Sequence, residues 1–240
     1  MKFNDLRELI AEIERMGELK KIEEADWNLE IGTITEAVAF SKKPMALLFD
    51  KIKGYPPGFR IATDLYATQR RQALGLGLPT EAGGIQLVDM WRKKIKELKP
   101  IPPAWVSDAP VKENVMTGEE VDVLKFPAPL WHELDGGRYI GTGCCVITKD
   151  PEEGWINLGV YRGEVHNKNT VGFHPIPGRH GYVMAHKYWA KGKPCPVVVA
   201  LGQEPLLYGA ACNPIPWGMS EYDFAGGLKG EPLKVTKGVY

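Results

Sequence analysis

A cluster of prolines near the middle of the chain constrains its fold more than any other feature. Pro100, Pro102 and Pro103 fall within the segment 99–104. Proline donates no backbone hydrogen bond and restricts the residue before it, so neither a helix nor a central strand is expected to continue through this segment. We therefore predict a boundary here, with one domain over residues 1–103 and a second, incomplete domain over residues 104–240.

The first hundred residues alternate between helical and strand patterns. Apolar side chains recur at helical spacing after Asn4 and Asp5, either of which can cap a helix, and Gly17 occupies a C-cap position. Strand patterns follow at 18–22, 46–49 and 59–62, and helical patterns at 31–38, 69–74 and 84–98. This alternation indicates a small α/β domain.

Beyond residue 137 the pattern is mainly that of β structure. We predict strands over 139–148, 155–166 and 197–201, with turn residues at 150–154. One helix is expected over 182–190, and Ser220 can cap another that places Glu221 in its first turn. A β-rich domain, a barrel or half-barrel with a helix packed on it, is the expected result. Because residues 233–240 form a strand pattern without a closing element, we expect a fragment of a longer protein.

The composition excludes several classes of protein. Thirty basic and thirty acidic side chains give a net charge of zero, which provides no electrostatic footprint for nucleic acid or an anionic membrane. No apolar stretch is long enough to span a bilayer, and the start lacks a signal-peptide core. Cys144, Cys145, Cys195 and Cys212 show no C-x-x-C spacing, so we expect reduced thiols in a cytoplasmic protein.

Asn157 and Arg162 are the first candidate site residues. They lie five residues apart on one predicted strand, and an odd separation places them on opposite faces. A bulge near Gly159, or a twist, would be needed to bring both to one site. Spacing alone favours a simpler interpretation, in which Arg162 is a surface arginine and Asn157 ends a strand.

His180 and Glu221 each precede or begin a predicted helix. The free N–H groups at a helix start favour anions such as phosphate, and a histidine there could ligate a metal bound to that phosphate. Alternatively, His180 caps its helix or faces solvent, and Glu221 stabilises its helix through the dipole. An amide oxygen from Asn157, an imidazole and a carboxylate together would suit Mn²⁺ or Mg²⁺. Spacing alone does not show that the three residues meet.

Three ordered segments give these residues a common context. They are Trp-Ile-Asn-Leu-Gly-Val-Tyr-Arg at 155–162, Arg-His-Gly at 179–181, and Pro-Ile-Pro-Trp-Gly-Met-Ser-Glu-Tyr-Asp-Phe-Ala-Gly at 214–226. In this combination they resemble the UbiD family of reversible decarboxylases. Segments 3–7, 17–20, 118–122 and 124–127 extend the resemblance along the whole chain.

The resemblance implies an α+β fold, in which a small N-terminal α/β domain precedes a split β-barrel flavin-binding domain. A further C-terminal domain of the family is absent from this chain. It implies prenylated FMN as cofactor, with Mn²⁺ (or Mg²⁺) and K⁺ linking the protein to its phosphate. The implied metal ligands, which also bind the cofactor, are Asn157, His180 and Glu221. The other implied cofactor-binding residues are Thr142, Gly159, Val160, Arg162, Arg179, Ala211, Cys212, Asn213 and Pro214.

The function implied by the resemblance is reversible decarboxylation of aromatic or α,β-unsaturated carboxylic acids. Arg162, the one catalytic residue expected in this chain, matches the arginine that faces the substrate carboxylate, and the family's acid/base carboxylates lie further along. A flavin prenyltransferase would supply the cofactor, and a homo-oligomer is expected. Two alternatives remain open: a non-catalytic flavin-binding or structural subunit of a multi-subunit carboxylase, and an ordinary FMN oxidoreductase on a similar barrel.

Overall fold

The computed structural model describes residues 2–239 of the chain. Within this range the helices are α1 Leu6–Arg15, α2 Glu30–Ala39, α3 Gln69–Gly75, α4 Gly84–Lys96, α5 His180–Trp189, α6 Pro205–Ala211 and α7 Glu221–Lys229. The strands are β1 Leu19–Glu23, β2 Ala46–Asp50, β3 Ile61–Thr63, β4 Ala104–Trp105, β5 Arg138–Gly141, β6 Cys145–Lys149, β7 Ile156–Gly159, β8 Gly163–Asn167, β9 Thr170–Phe173, β10 Val198–Ala200 and β11 Lys234–Val235.

The N-terminal half is built on one three-stranded sheet. The strand order is β1-β2-β3, with β1 and β2 parallel and β3 antiparallel to β2. Asp5 caps α1 by accepting a hydrogen bond from the Glu8 N–H at 3.0 Å, and the apolar stripe of α1 buries Leu9 and Ile13. The helices and strands predicted for this half are confirmed, because their hydrophobic periods are decided locally.

The proline segment packs closely against α7. The Ile101 N–H donates to the Asp223 carbonyl at 3.0 Å. A Cβ atom on Gly226 would lie 2.4 Å from the Ile101 carbonyl oxygen, and one on Gly227 would lie 2.5 Å from that of Lys99. Both distances are below any real contact, so this crossing requires glycine on the helix. The segment then enters β4, which pairs in parallel with β11.

The second half contains two antiparallel three-stranded sheets, ordered β10-β6-β7 and β5-β8-β9. Each of the two long strands predicted here is in fact two strands. The chain leaves one sheet and enters the other at 142–144, and it crosses back at 160–162. The Cys144 sulfur lies between the two breaks, 3.4 Å from the Gly141 carbonyl oxygen and 3.2 Å from that of Tyr161, so its single S–H can donate to either one. These sheets do not form a closed barrel within residues 2–239, and the split β-barrel stays a prediction, as does the domain division at residue 103.

Two helices pack together beside these sheets. Helix α6, which the sequence pattern did not predict, begins with Pro205 at its first position and is capped by the Glu204 carboxylate, which accepts from the Leu207 N–H at 2.8 Å. It buries Leu206 and Ala210 against α7. Helix α7 begins at Glu221 with Ser220 as its N-cap, which confirms that prediction. In the part of the chain described, no helix has the length and apolar character needed to cross a bilayer.

Candidate functional site

Glu221 and Asn157 meet along β7. Glu221 is the first residue of α7 and is only 3% exposed, and its Oε2 accepts a hydrogen bond from the Leu158 N–H at 2.7 Å. Asn157, the residue before Leu158, is also 3% exposed. Helix α7 therefore places a buried carboxylate against the strand that carries the amide of Asn157.

The Glu221 carboxylate lies in an environment that disfavours its charge. Burial raises the pKa of Glu221 to about 7, against the opposing effect of the hydrogen bond from Leu158. Among residues 2–239, no lysine, arginine or histidine forms an ion pair with it. A cation next to this carboxylate would favour its ionised form, so its chemistry fits a metal ligand.

The amide of Asn157 is oriented by hydrogen bonds. Its Nδ2 donates to the Thr148 hydroxyl at 3.4 Å, and that hydroxyl donates to the Met184 sulfur on α5 at 3.2 Å. The amide oxygen of Asn157 is the atom left to accept or to bind a cation. Neither Thr148 nor Met184 was singled out from the sequence, because their role depends on β6 and α5 packing on β7.

His180 begins α5 and is half-buried between two indoles. Its ring centroid lies 5.5 Å from that of Trp155 and 5.2 Å from that of Trp217, both edge to face. Burial, and then the charge of Arg179, lower the pKa of His180. The imidazole is therefore neutral at neutral pH, which is the form that binds metals.

The three predicted ligands lie on three different elements: Asn157 on β7, His180 at the start of α5 and Glu221 at the start of α7. Both helices pack against β7. Among the residues described, no three His, Cys, Asp or Glu side chains group closely enough to hold a metal ion. A metal site here therefore depends on the Asn157 amide oxygen joining His180 and Glu221. One amide oxygen, one neutral imidazole and one carboxylate form a donor set that fits Mn²⁺ or Mg²⁺, and their roles as ligands stay a prediction.

The Tyr161 side chain packs between the end of β7 and the start of α5. A Cβ atom on Gly159 would lie 2.6 Å from the Tyr161 ring, and one on Gly181 would lie 3.1 Å from its hydroxyl oxygen. Burial raises the pKa of Tyr161, while the Gly181 N–H and the Arg179 charge lower it in part. A side chain at 159 would overlap the tyrosine ring and one at 181 would contact it tightly, which explains Gly159 in packing terms independent of any cofactor.

Arg162 lies in the link that leads from β7 into β8. Its side chain is exposed, and its guanidinium carbon lies 5.8 Å from the centroid of the Tyr139 ring. The expectation that Asn157 and Arg162 share one strand is wrong, because β7 ends at Gly159 and the chain there changes sheet. The alternation of faces along one strand therefore does not apply to this pair, and the bulge near Gly159 that it would have required is not needed. Within residues 2–239, Arg162 has no carboxylate partner, so its guanidinium is available to an anionic ligand.

The remaining predicted cofactor residues fall in two places. Val160 and Ala211 pack in one core cluster with Leu158, Cys212 is the C-cap of α6, and the Asn213 amide donates to the Gly209 carbonyl at 2.6 Å. Pro214 follows directly, and Arg179 is the N-cap residue of α5. Thr142 lies apart, in the wall of a cavity of about 1010 Å³ between the N-terminal sheet and β5, which none of the other predicted site residues lines.

A buried carboxylate fixes the turn between β6 and β7. Asp150, 1% exposed, accepts hydrogen bonds from the N–H groups of Glu152 and Glu153 and from the Lys187 ammonium, each at 2.8 Å. Burial alone would raise the pKa of Asp150, but the Glu153 N–H, Lys187 and the Glu152 N–H outweigh it and lower the pKa below its usual range. The turn is thereby tied to α5.

Replacing Asp150 by alanine is expected to destabilise the protein by about 2 kcal/mol in urea denaturation, because two backbone N–H groups and the Lys187 ammonium lose their acceptor. With a folded-state pKa below 3.8, this stabilisation is complete above pH 3.8 and disappears as the pH falls further. Glu152→Ala is the control, since Glu152 is half-exposed and should matter much less. Equal effects of both variants would contradict the role given to Asp150.

Comparison with known proteins places this arrangement in a family. Residues 104–240 match the family described as the 3-octaprenyl-4-hydroxybenzoate carboxy-lyase Rift-related domain, and residues 10–91 match its N-terminal domain. The chain belongs to the UbiD family. Among curated UbiD relatives, it is 36% identical to the pyrrole-2-carboxylic acid decarboxylase of Pseudomonas aeruginosa, over 97% of this chain and 48% of the relative.

Solved UbiD-class structures share the fold. The vanillic acid decarboxylase of Sedimentibacter hydroxybenzoicus in its closed form superposes with a TM-score of 0.91 at 29% identity, covering 100% of this chain and 52% of that one. An evolved dimeric form of HmfF from Pelotomaculum thermopropionicum, in complex with prenylated FMN, gives a TM-score of 0.86 at 28% identity, covering 98% and 53%. The chain thus spans about half the length of the relatives it matches.

Proposed function

We propose that the protein is a prenylated-FMN-dependent, reversible decarboxylase of aromatic or α,β-unsaturated carboxylic acids, and that this chain provides its cofactor-holding part. The observation that carries the proposal is the buried carboxylate of Glu221, which has no cationic partner among the residues described and lies against the strand of Asn157. Relatives named as decarboxylases of pyrrole-2-carboxylic and vanillic acid support the substrate class, and HmfF in complex with prenylated FMN supports the cofactor.

We assign Asn157, His180 and Glu221 to a Mn²⁺ or Mg²⁺ ion, accompanied by K⁺, that anchors the cofactor phosphate. The start of α5 contributes free N–H groups, which favour a phosphate. The other predicted cofactor residues would line the remainder of the cofactor. When bound, prenylated FMN would supply the electron sink that allows the carboxylate to leave as CO₂.

Arg162 is assigned to the substrate carboxylate. Its guanidinium is fixed in charge and presents two parallel donors, a geometry that matches a carboxylate and orients the bond to be broken. It is held near the site by the short link between β7 and β8, and its guanidinium approaches the Tyr139 ring. Proton transfer to the product carbon is assigned to a carboxylic acid outside this chain. A homo-oligomer, cytoplasmic location and supply of cofactor by a flavin prenyltransferase remain part of the proposal.

The full-length protein produced together with a flavin prenyltransferase tests this function. We expect purified protein with flavin-like absorbance that releases CO₂ from a small panel of aromatic acids, including pyrrole-2-carboxylate and vanillate. Protein produced without the prenyltransferase is the control and should release none. Absorbance without CO₂ release from any acid would favour the flavin-binding subunit, and oxidation of a nicotinamide cofactor without CO₂ release would favour the FMN oxidoreductase.

A further inference from the structure

The imidazole of His180 is enclosed by two indoles that come from different segments. Trp155 precedes β7, and Trp217 lies in the loop before α7. The two indoles also contact each other, with centroids 5.0 Å apart and planes at 80°. Each of them meets the imidazole at nearly a right angle, at 81° and 88°. We call Trp155 and Trp217 the aromatic collar.

Trp217 is held in place by groups from the neighbouring turn and helix. Its indole N–H donates to both oxygens of Glu153, at 3.3 and 3.1 Å. The Lys187 ammonium lies 5.1 Å from the centroid of its ring, within the range of a cation–π contact. Lys187 is in turn bound by the buried Asp150 at 2.8 Å. An indole that is 41% exposed is thus fixed from two directions.

Trp155 is held by packing and by the backbone. Its carbonyl accepts from the Asp150 N–H at 2.9 Å, which closes the turn between β6 and β7. Its indole N–H is buried and has no hydrogen-bond partner among residues 2–239. The contribution of this side chain therefore comes from its ring surface, which faces His180 and Trp217.

We propose that the aromatic collar is a positioning device for His180, with Trp217 as its more exposed member and Glu153 and Lys187 as the anchors of Trp217. The collar fixes the rotation of the imidazole, so that one ring nitrogen is presented in a constant direction. The direct consequence, which rests on the proposed function, is that Trp217 sets the affinity of the site for its divalent metal without being a ligand. Groups that orient a metal ligand commonly change affinity or activity by about 10- to 100-fold when they are removed.

The collar can be observed without any metal. In metal-free protein with isotope-labelled histidine, the ring currents of two adjacent indoles displace the imidazole resonances of His180, which the variant His180→Gln identifies. We expect Trp217→Leu to shift these resonances, and Trp217→Phe to retain most of the displacement because a ring remains. Trp189→Leu is the matched control, since Trp189 lies on the same helix as His180 but contacts His186, 4.8 Å between centroids. It should move the resonances of His186 alone.

The second measurement is Mn²⁺ binding to the metal-free protein, followed by electron paramagnetic resonance. We expect Trp217→Leu to weaken binding by about 10- to 100-fold, with Trp217→Phe close to the parent protein. Glu153→Ala removes only the exposed carboxylate that anchors Trp217 and should shift the His180 resonances in the same direction as Trp217→Leu. It provides the test if Trp217→Leu does not fold. Either unchanged His180 resonances or an unchanged Mn²⁺ affinity in Trp217→Leu would overturn the proposal.

The two hypotheses fail in different ways. A parent protein that shows the displaced His180 resonances but binds no Mn²⁺ would refute the metal site of the proposed function and leave the collar standing. Equal Mn²⁺ affinities of the parent protein and Trp217→Leu would support the metal site and refute the collar.

Discussion

Replacing Glu221 by glutamine is expected to lower decarboxylation by at least about 100-fold and to release the metal and cofactor from the purified protein. Glutamine keeps the size of the side chain and can still accept the hydrogen bond from Leu158. It lacks the negative charge of Glu221, which is the only anionic side chain in the proposed ligand set and the strongest ligand in it for a hard divalent cation. The measurements are CO₂ release, flavin absorbance and metal content of the full-length protein produced with the prenyltransferase.

The same variant is expected to stabilise the metal-free protein. The pKa of Glu221 is about 7 in the folded protein, against 4.5 as its ordinary value. Ionisation of Glu221 therefore lowers the free energy of unfolding. This loss is absent below pH 4.5, grows as the pH rises and is complete above pH 7. Removing the charge should therefore raise the free energy of unfolding above pH 7 by up to about 3 kcal/mol, with little gain at pH 4. Urea denaturation at both pH values measures the difference.

Asp223 provides the control for Glu221. It lies in the first turn of the same helix, and Asp223→Asn removes a charge at the same end of α7. We expect this variant to keep its metal, its cofactor and most of its activity. Full activity of Glu221→Gln, or equal losses in the two variants, would refute the ligand role of Glu221.

Replacing Arg162 by lysine is expected to lower kcat/KM by about 100-fold or more, while the cofactor stays bound. The charge is retained, but a single ammonium cannot grip a carboxylate through two parallel donors. Arg162 has no ion-pair partner within residues 2–239, so its replacement should leave the fold intact. Steady-state kinetics with the acid that the parent protein decarboxylates best, together with flavin absorbance, provide the measurement.

Arg92→Lys serves as the control for Arg162, since Arg92 is an exposed residue on α4 far along the chain from the site. It should leave both kcat/KM and cofactor content unchanged. If Arg162→Lys behaves in the same way, the substrate carboxylate is held elsewhere.

Local patterns predicted the elements that depend on local interactions. The cap of Asp5 and the buried stripe of α1, and the cap of Ser220 ahead of Glu221, could be read directly from the sequence because their partners lie within a few residues. The strand breaks at 142–144 and 160–162 could not. They involve Cys144, whose thiol lies between the nearby carbonyl of Gly141 and the carbonyl of Tyr161, 17 residues further along, and residues on both sides of each break have the same β-type composition.

The candidate site also divides into features that the sequence indicates and features that depend on tertiary contacts. The residues Asn157, His180 and Glu221 were named through family resemblance, since spacing alone left each with an ordinary structural explanation. The orienting role proposed for Trp155 and Trp217 gave no sequence signal, although both lie within the segments that carry the resemblance. Trp155 and Trp217 are 62 positions apart and become partners only because the turn after β6 and the loop before α7 meet beside α5.

Helix α7 connects two regions that look independent. Its nine residues span about 13 Å, with Glu221 at one end and the glycines crossed by the proline segment toward the other. A short, well-packed helix transmits displacement as a rigid rod does. Any side chain larger than glycine at 226 or 227 would clash with the carbonyl of Ile101 or Lys99, so either the proline segment or α7, which carries the buried carboxylate, would have to move. In protein engineering, a substitution made for stability at this crossing should therefore also be assayed for its effect on metal affinity, because both regions share α7.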